Sequence, residues 1–211
     1  MGVLNDSLKH APLLAAADGG ADTVLEAGLS PARVVGDLDS ISDRARAAFA
    51  QITTHIAEQD STDFAKALRT STADLVIAVG FMGARVDHFL SCITELARRA
   101  DMDAPPCVLF GETDCLCLLP PQAELRLPVG TRVSLWPLAR AKGTSSGLAW
   151  PLDGVALDPT LRTGTSNHTV APICRIRMSG GPTALILPAA QLAAMLTMLE
   201  IAPRGGAPVR L

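Results

Sequence analysis

Two aspartates one residue apart, Asp37 and Asp39, follow the apolar run in the segment RVVGDLDSIS. Carboxylates this close repel each other and raise each other's pKa, so a cation is expected to neutralise them. Carboxylate oxygens are good ligands for Mg²⁺, which also binds the phosphates of substrates. Taken alone, the pair has two interpretations: a metal site that serves phosphate chemistry, or a loop acid followed by a helix cap.

Three further clusters of charged and polar residues each follow an apolar run. Two of them contain glycines, and the third contains the start of a helix. Their residues of interest are Asp18, Gly19 and Gly20 in ADGGAD, then Gln59, Asp60, Thr62, Asp63 and Lys66 in EQDSTDFAK, then Gly80, Gly83, Arg85, Asp87 and His88 in GFMGARVDH. Each cluster alone has an ordinary explanation: DGG is usually a turn, STD starts a helix, and Arg85 with Asp87 is typical of a weak surface ion pair. Four such clusters in one chain are hard to attribute to chance.

The elements that must position these clusters alternate along the first half of the chain. Apolar runs in APLLAAA, ARVVG, ITTHI, ADLVIAV and CVLF predict strands, and helical patterns follow the first four of them. Ser42, and either Ser61 or Thr62, are suited to cap two of these helices. This alternation predicts a parallel sheet covered on both faces. Ligands of such sheets bind at the carboxyl ends of the strands, so the four clusters are expected to share one edge.

The pattern changes after Gly111, where short β runs are broken by proline and glycine. These runs are DCLCLLP, AELRLP, TRVSLWPL, ICRIRMSG and TALILP, and AAQLAAMLTMLE looks helical. They predict a mostly antiparallel β-sandwich. We therefore expect an N-terminal α/β catalytic domain at residues 1–111 and a C-terminal β-sandwich domain at residues 112–211.

Composition excludes several classes of protein. The formal net charge is −3 and the chain has no tyrosine, so neither nucleic acid nor an anionic membrane is an expected partner. The five cysteines include no CxxC pair, so neither a disulfide framework nor a zinc site is expected. Cys115 and Cys117 alternate in an apolar run and are expected to be small buried hydrophobic residues. A signal peptide and a run of about 18 apolar residues are both missing from the sequence, and the expected location is the cytoplasm.

Together, the four clusters contain the groups that phosphoryl transfer needs. Carboxylates suit Mg²⁺, and glycines let backbone N–H groups approach phosphate. Lys66 and Arg85 can balance the charge that develops during transfer. The chain has no GxxxxGK(S/T) motif, so it is not a P-loop enzyme.

The order of the motifs ADGGA, GDLDS, QDSTDFAKAL and GxxGARxDH resembles the thiamine pyrophosphokinase family. The resemblance continues with SSGLAWPLDG at residues 145–154 and GTSN at residues 164–167. It implies ATP-dependent transfer of a pyrophosphoryl group to the hydroxyl of thiamine, which gives thiamine diphosphate and AMP. It also implies an α/β domain followed by a β-sandwich domain, and a homodimer with active sites between subunits.

The resemblance also implies roles for individual residues. Asp37, Asp39 and Asp63 would hold Mg²⁺, while Lys66 and Arg85 would contact phosphates. The residues that would border the nucleotide or thiamine are Asp18, Gly19, Gly20, Ser40, Gln59, Thr62, Asp87, His88, Trp150, Thr165, Ser166 and Asn167.

Trp150 would stack on the thiamine rings in an enzyme of this family. An indole face is the best side-chain partner for a flat cation, although the ordinary alternative is a core tryptophan. The chain departs from the family in two places. The family's first, glycine-ended strand has no clear counterpart in MGVLNDSLKHAP, and Cys92 stands where many members have asparagine.

Three alternative functions remain open at this point. A haloacid-dehalogenase-like phosphatase also places a DxD pair after a strand, but it would leave DGG and TSN unexplained. A diphosphokinase that acts on a pterin-type alcohol would have similar metal loops. A non-catalytic thiamine or nucleotide sensor is disfavoured by the intact acids and by Lys66.

Overall fold

The computed structural model describes residues 2–83 and 85–201. The chain forms two compact units, which divide between Glu95 and Leu96. This division lies earlier in the chain than the domain boundary expected after Gly111. Within the described ranges, none of the helices has the length and apolarity needed to cross a bilayer.

The first unit alternates helices and strands, as the sequence predicts. Its elements in chain order are α1 (Gly2–Leu8), β1 (Ala15–Ala17), α2 (Gly20–Glu26), β2 (Arg33–Gly36), α3 (Asp43–Ala48), a 3-10 turn (Ala50–Ile52), β3 (Thr53–His55), α4 (Asp63–Thr70), β4 (Val76–Val79) and α5 (Val86–Arg98).

The predicted parallel sheet is confirmed for β1, β2 and β3, which lie in that order. Ala16 is opposite Val34, and Val34 is opposite Thr53. Strands β1 and β2 run in the same direction, so the segments that follow them begin at one edge of the sheet. A buried apolar core holds these strands and helices together; it contains Ala16, Ala21, Val24, Val34, Ile41, Ala45 and Phe49.

Side-chain caps set where two of the helices begin. The Ser42 side chain accepts a hydrogen bond from the backbone N–H of Ala45 at 3.1 Å. The Thr62 side chain accepts one from the N–H of Ala65 at 3.3 Å. Each cap satisfies a backbone donor that the first helical turn leaves without a partner. The predicted caps are thus confirmed, with Thr62 rather than Ser61 at the start of α4.

The second unit is mostly antiparallel β structure, again as predicted. Its elements are β5 (Cys107–Phe110), β6 (Asp114–Leu118), β7 (Gln122–Arg126), β8 (Arg132–Pro137), β9 (Ala141–Ser146), β10 (Ala156–Leu157), β11 (Gly164–His168), β12 (Ile173–Gly180), β13 (Thr183–Pro188), a 3-10 turn (Ala189–Gln191) and α6 (Leu192–Ile201). One sheet has the order β10-β9-β12-β7, and in the other β11, β8, β13, β6 and β5 are successive neighbours.

The sequence predicts that five strands share the parallel sheet, but β4 and β5 both lie outside the sheet of β1, β2 and β3. The GFMGARVDH cluster, which follows β4, therefore does not follow a strand of that sheet. Strand β5 differs most from the expectation. The sequence groups it with the strands that alternate with helices, but it pairs antiparallel with β6, with Leu109 opposite Leu116. The reason is the short connection between β5 and β6, which favours a hairpin over a parallel crossover. Strand β5 therefore belongs with the β-rich second unit.

Apolar side chains from both sheets of the second unit are buried. Leu125, Leu135, Ile176 and Leu185 are each at most 1% exposed, and they come from β7, β8, β12 and β13. All five cysteines are buried as well. Burial raises the pKa of the Cys115 thiol to about 12, which favours the neutral thiol. This agrees with the prediction that Cys115 and Cys117 act as small buried hydrophobic residues.

Candidate active site

Three carboxylates meet at the edge of the parallel sheet. Asp18 directly follows β1, Asp37 directly follows β2, and Asp39 lies two residues further on. One carboxylate oxygen from each lies within 4.8 Å of the others. We call Asp18, Asp37 and Asp39 the acidic cluster. Its origin is the parallel pairing of β1 with β2, which brings two segments from different parts of the chain to one place.

The backbone around the acidic cluster is held in unusual conformations. Asp18 has a φ of 39° and Leu38, between the two other acids, has a φ of 64°. Residues other than glycine rarely adopt this left-handed backbone conformation, and those that do are concentrated at functional sites. Gly36 allows a close approach, because a Cβ there would lie 2.9 Å from the Asp18 Cβ and 3.1 Å from Asp63 Oδ1.

The Asp18 carboxyl has one oxygen with a partner and one without. Oδ2 accepts a hydrogen bond from the backbone N–H of Ser40 at 3.2 Å, whereas the buried Oδ1 has no hydrogen-bond partner. Burial raises the pKa of this carboxyl. A buried polar atom without a partner is costly, and a cation at the acidic cluster would satisfy it. The residues present therefore fit a divalent metal such as Mg²⁺, whose ligands are oxygens.

A buried lysine provides the cation that the sequence requires beside Asp37. Lys66, on α4, has a side chain only 1% exposed, and its Nζ lies 3.0 Å from Asp37 Oδ2 and 3.2 Å from Asp63 Oδ1. Burial lowers the pKa of Lys66, but the hydrogen bonds to the two aspartates more than offset this and the pKa is raised. The bond from Lys66 in turn lowers the pKa of Asp37. Lys66 thus neutralises charge inside the site.

Asp63 and Gln59 approach Asp37 from the segment that leads into α4. Asp63 Oδ1 accepts the backbone N–H of Asp37 at 3.4 Å as well as the bond from Lys66. Gln59 Nε2 donates to Asp37 Oδ2 at 3.1 Å. Asp63, expected as the third metal ligand, is therefore joined to the acidic cluster through Asp37 and Lys66, while Asp18, expected to border the nucleotide, provides the third carboxylate of that cluster.

The predicted residues of the DGG and GDLDS motifs also lie together. Ser40 Oγ donates to Asp39 Oδ1 at 2.8 Å. A Cβ at Gly19 would be 3.2 Å from the Ser40 carbonyl oxygen, so the absence of a side chain there permits a tight contact. Gly20 is the first residue of α2 and faces open space. The two motifs thus form one surface at the edge of the sheet.

Arg85 and Asp87 contact each other. Arg85 Nη2 donates to Asp87 Oδ2 at 2.7 Å and Nε to Oδ1 at 3.2 Å, and both side chains are 66% exposed. This ion pair lowers the pKa of Asp87 to about 2. His88 is also exposed, in the first turn of α5. Arg85 and Asp87 thus form a solvent-exposed ion pair, as the ordinary explanation of this cluster predicts.

In the second unit, Trp150 is 61% exposed, so the alternative of a core tryptophan does not describe its position. Its ring meets the His168 imidazole edge-on, with centroids 5.3 Å apart. Thr165 and Ser166 are exposed on β11, whereas Asn167 is buried. Asn167 forms two hydrogen bonds with the backbone of Trp150.

Sequence reasoning missed two residues that shape the loops of the first unit. Glu58 accepts hydrogen bonds from the backbone N–H groups of Asp60 and Ser61 and from Arg69, which organises the turn before α4. Its contacts with Ser61 and Arg69 lower the pKa of Glu58 to about 2. Arg46 Nη2 donates to the carbonyl of Leu38 at 2.6 Å. An acid immediately before QDSTD is a usable signal for Glu58, but nothing local identifies Arg46.

Comparison with known proteins gives one consistent family. The family described as "Thiamin pyrophosphokinase, catalytic domain" matches residues 4–108, about half of the chain. Thiamin pyrophosphokinase 1 of Caenorhabditis elegans is 26% identical over 154 residues, which are 65% of this chain and 62% of that protein. Thiamine pyrophosphokinase of Bacillus subtilis is 39% identical over 83 residues, which are 36% of this chain and 39% of that protein. These matches span less than two thirds of the length of either relative.

A solved structure extends the similarity to most of the fold. The crystal structure of thiamin pyrophosphokinase from Geobacillus thermodenitrificans is 26% identical, with a TM-score of 0.72, and the match covers 83% of this chain and 86% of that chain. Three of the motifs that carry the sequence resemblance, ADGGA, GDLDS and QDSTDFAKAL, build the acidic cluster and its surroundings. The chain therefore belongs to the thiamin pyrophosphokinase family.

Proposed function

We propose that this protein transfers a pyrophosphoryl group from ATP to the hydroxyl of thiamine, giving thiamine diphosphate and AMP. The observation that carries the proposal is the acidic cluster, with the unpartnered Asp18 Oδ1 buried in it, in a chain of this family. Asp18, Asp37 and Asp39 would hold Mg²⁺, and Asp63, which shares Lys66 with Asp37, would add negative charge beside them. When bound, the ion would neutralise the charge on the phosphates.

The remaining residues of the first unit would place the nucleotide. Gly20 faces open space and leaves room for phosphate to approach the backbone at the start of α2, while Gly19 lets the backbone lie close to Ser40. Arg85, which is exposed, would supply positive charge to the transferred group. Lys66 is buried against two carboxylates, so we assign it to holding those carboxylates in place rather than to direct phosphate contact.

Incubation with ATP, thiamine and Mg²⁺, followed by product analysis, tests this function. The proposal expects AMP and thiamine diphosphate in equal amounts. Inorganic phosphate as the main product would indicate a phosphatase, and binding without turnover would indicate a sensor. Turnover only when a pterin-type alcohol replaces thiamine would indicate the related diphosphokinase. Each of these three results would overturn the proposal.

Trp150 is proposed to stack on thiamine. The exposed indole supports this, and a cation–π contact is worth about 0.5–2 kcal/mol. Trp150→Ala is expected to raise the KM for thiamine by about tenfold or more, since a factor of ten corresponds to about 1.4 kcal/mol. Trp150→Phe should recover part of the loss. The KM for ATP should hardly change, because the nucleotide is assigned to loops of the first unit.

The measurement that checks this is steady-state kinetics with both substrates, together with melting temperatures for wild type, Trp150→Phe and Trp150→Ala. A lower melting temperature in Trp150→Ala with an unaltered KM for thiamine would remove Trp150 from the site.

The active enzyme is further proposed to be a homodimer. Support comes from the family and from large apolar side chains left exposed in the second unit, which include Val129, Trp136, Leu161 and Val170. Burial of such side chains against a second copy is favourable. Light scattering at micromolar concentration is expected to give twice the chain mass of 22.0 kDa. A monomer mass with full activity would contradict this.

A further inference from the structure

The segment at residues 148–153, which we call the Trp150 loop, is tied by its backbone to β11 and the residues after it. Leu148 forms an isolated antiparallel bridge with Thr169, and the N–H of Ala149 donates to the carbonyl of His168 at 2.9 Å. The regular pairing stops at this point. The backbone N–H and C=O of Trp150 therefore form hydrogen bonds with a side chain instead of with a neighbouring strand.

That side chain is the carboxamide of Asn167. Its Nδ2 donates to the Trp150 carbonyl at 2.7 Å, and its Oδ1 accepts the Trp150 N–H at 3.1 Å. The carboxamide thus binds the peptide groups of one residue much as a neighbouring strand would. Oδ1 also accepts the N–H of His168 at 2.9 Å. Asn167 is only 7% exposed, so little of it remains for a ligand to contact.

A local irregularity of β11 accompanies this arrangement. The pairing of β11 with β8 shifts register between Gly164 and Asn167. Ser166, inside the shift, has a φ of 61°, and its N–H donates to Ser134 Oγ at 3.0 Å. Bulges of this kind re-aim a side chain. Here the residue after the bulge is the one that holds Trp150.

We propose that Asn167 is a positioning residue, which sets the place of the Trp150 indole and so the affinity for thiamine, and is not itself a substrate ligand. The inference rests on the proposed function. Only a carboxamide offers one donor and one acceptor in the required geometry. Asn167→Asp keeps the shape but cannot donate to the Trp150 carbonyl, so it separates the hydrogen bonding from the packing.

The test uses the full-length protein carrying Trp136→Phe, in which Trp150 is the remaining tryptophan, since the chain has two. Asn167→Ala and Asn167→Asp are added separately. Both should lower the fluorescence anisotropy of Trp150 and raise its quenching by acrylamide, because the indole gains freedom. The KM for thiamine should rise about fivefold or more, while the KM for ATP stays unchanged. Asn5→Ala, which removes an exposed carboxamide on α1, is the matched control and should change none of these quantities.

A double-mutant cycle with Trp150→Ala distinguishes positioning from direct contact. If Asn167 acts through the indole, Asn167→Ala should add almost nothing to the thiamine KM of Trp150→Ala. Additive effects would assign Asn167 to the substrate and overturn the inference, as would unchanged anisotropy in both Asn167 variants. Should Asn167→Ala fail to fold, Asn167→Asp carries both measurements. If the wild type neither binds nor uses thiamine, the proposed function fails, and anisotropy and quenching still decide whether Asn167 holds Trp150.

Discussion

Asp37→Asn and Asp39→Asn should each lower turnover by about a hundredfold or more, which is typical for the loss of a group that stabilises transition-state charge. Each substitution removes one negative charge from the acidic cluster and, on the proposed function, should weaken its hold on Mg²⁺. The two variants should differ in how far their melting temperatures fall. Asp39 is exposed and bonded to Ser40, so its variant should keep the wild-type melting temperature. Asp37 is a partner of the buried Lys66, and its variant should melt at a somewhat lower temperature.

Activity of both variants should be measured over a range of Mg²⁺ concentrations, because a weakened metal site shifts the Mg²⁺ requirement upward. Asp103→Asn is the matched control: it removes an exposed acid of the second unit and should leave activity unchanged. Near-normal activity at the wild-type Mg²⁺ requirement in both variants would refute the assignment of the acidic cluster as the metal site.

Lys66→Met should lower the free energy of unfolding by about 3 kcal/mol, the lower end of the range for breaking a buried ion pair. The variant leaves Asp37 and Asp63 without their shared counter-charge. The lower end applies because the Asp63 side chain is 30% exposed and water can partly compensate. Turnover should fall as well, since Asp37 would no longer be held at the acidic cluster. Lys66→Arg should not restore stability, because the fully buried position has no room for the larger guanidinium.

Urea denaturation of wild type, Lys66→Met and Lys9→Met checks this expectation. Lys9 forms an exposed pair with Asp6, with the lysine side chain 71% exposed, so its loss should cost little. The double variant Lys66→Met with Asp63→Asn should regain part of the lost stability, because one uncompensated charge is removed. Wild-type stability of Lys66→Met would show that the two carboxylates do not need an internal cation.

Much of the first unit follows from local signals in the sequence. Alternating apolar runs and helical patterns predict the parallel sheet, and serine and threonine before the helical segments predict the caps at Ser42 and Thr62. The positions of Asp18 and Asp37 directly after strands then predict that these acids meet. The elements and their caps are predicted well because periodicity and capping act over a few residues and need no knowledge of how side chains pack. The meeting of the acids follows from a general property of parallel sheets, whose strands all end at one edge.

The partners of the site residues are decided by tertiary structure. Lys66 appears from the sequence as a phosphate contact, yet it reaches Asp37, 29 residues away, because α4 packs against β1 and β2 and buries it. Asp63 lies beside Lys66 because the two residues are three positions apart on α4, whereas the pairing of β1 with β2 gives the third place in the acidic cluster to Asp18.

The second unit shows the same division. The residue types of GTSN predict a turn or a ligand site, and short β runs predict the antiparallel sheets. The hydrogen bonds between Asn167 and Trp150 depend on a register shift in β11 and on a loop 17 residues earlier. No periodic pattern in the sequence indicates that these two segments contact each other. The sequence by itself thus determines which groups are present and at which strand ends they lie, whereas long-range packing determines which of them bind each other.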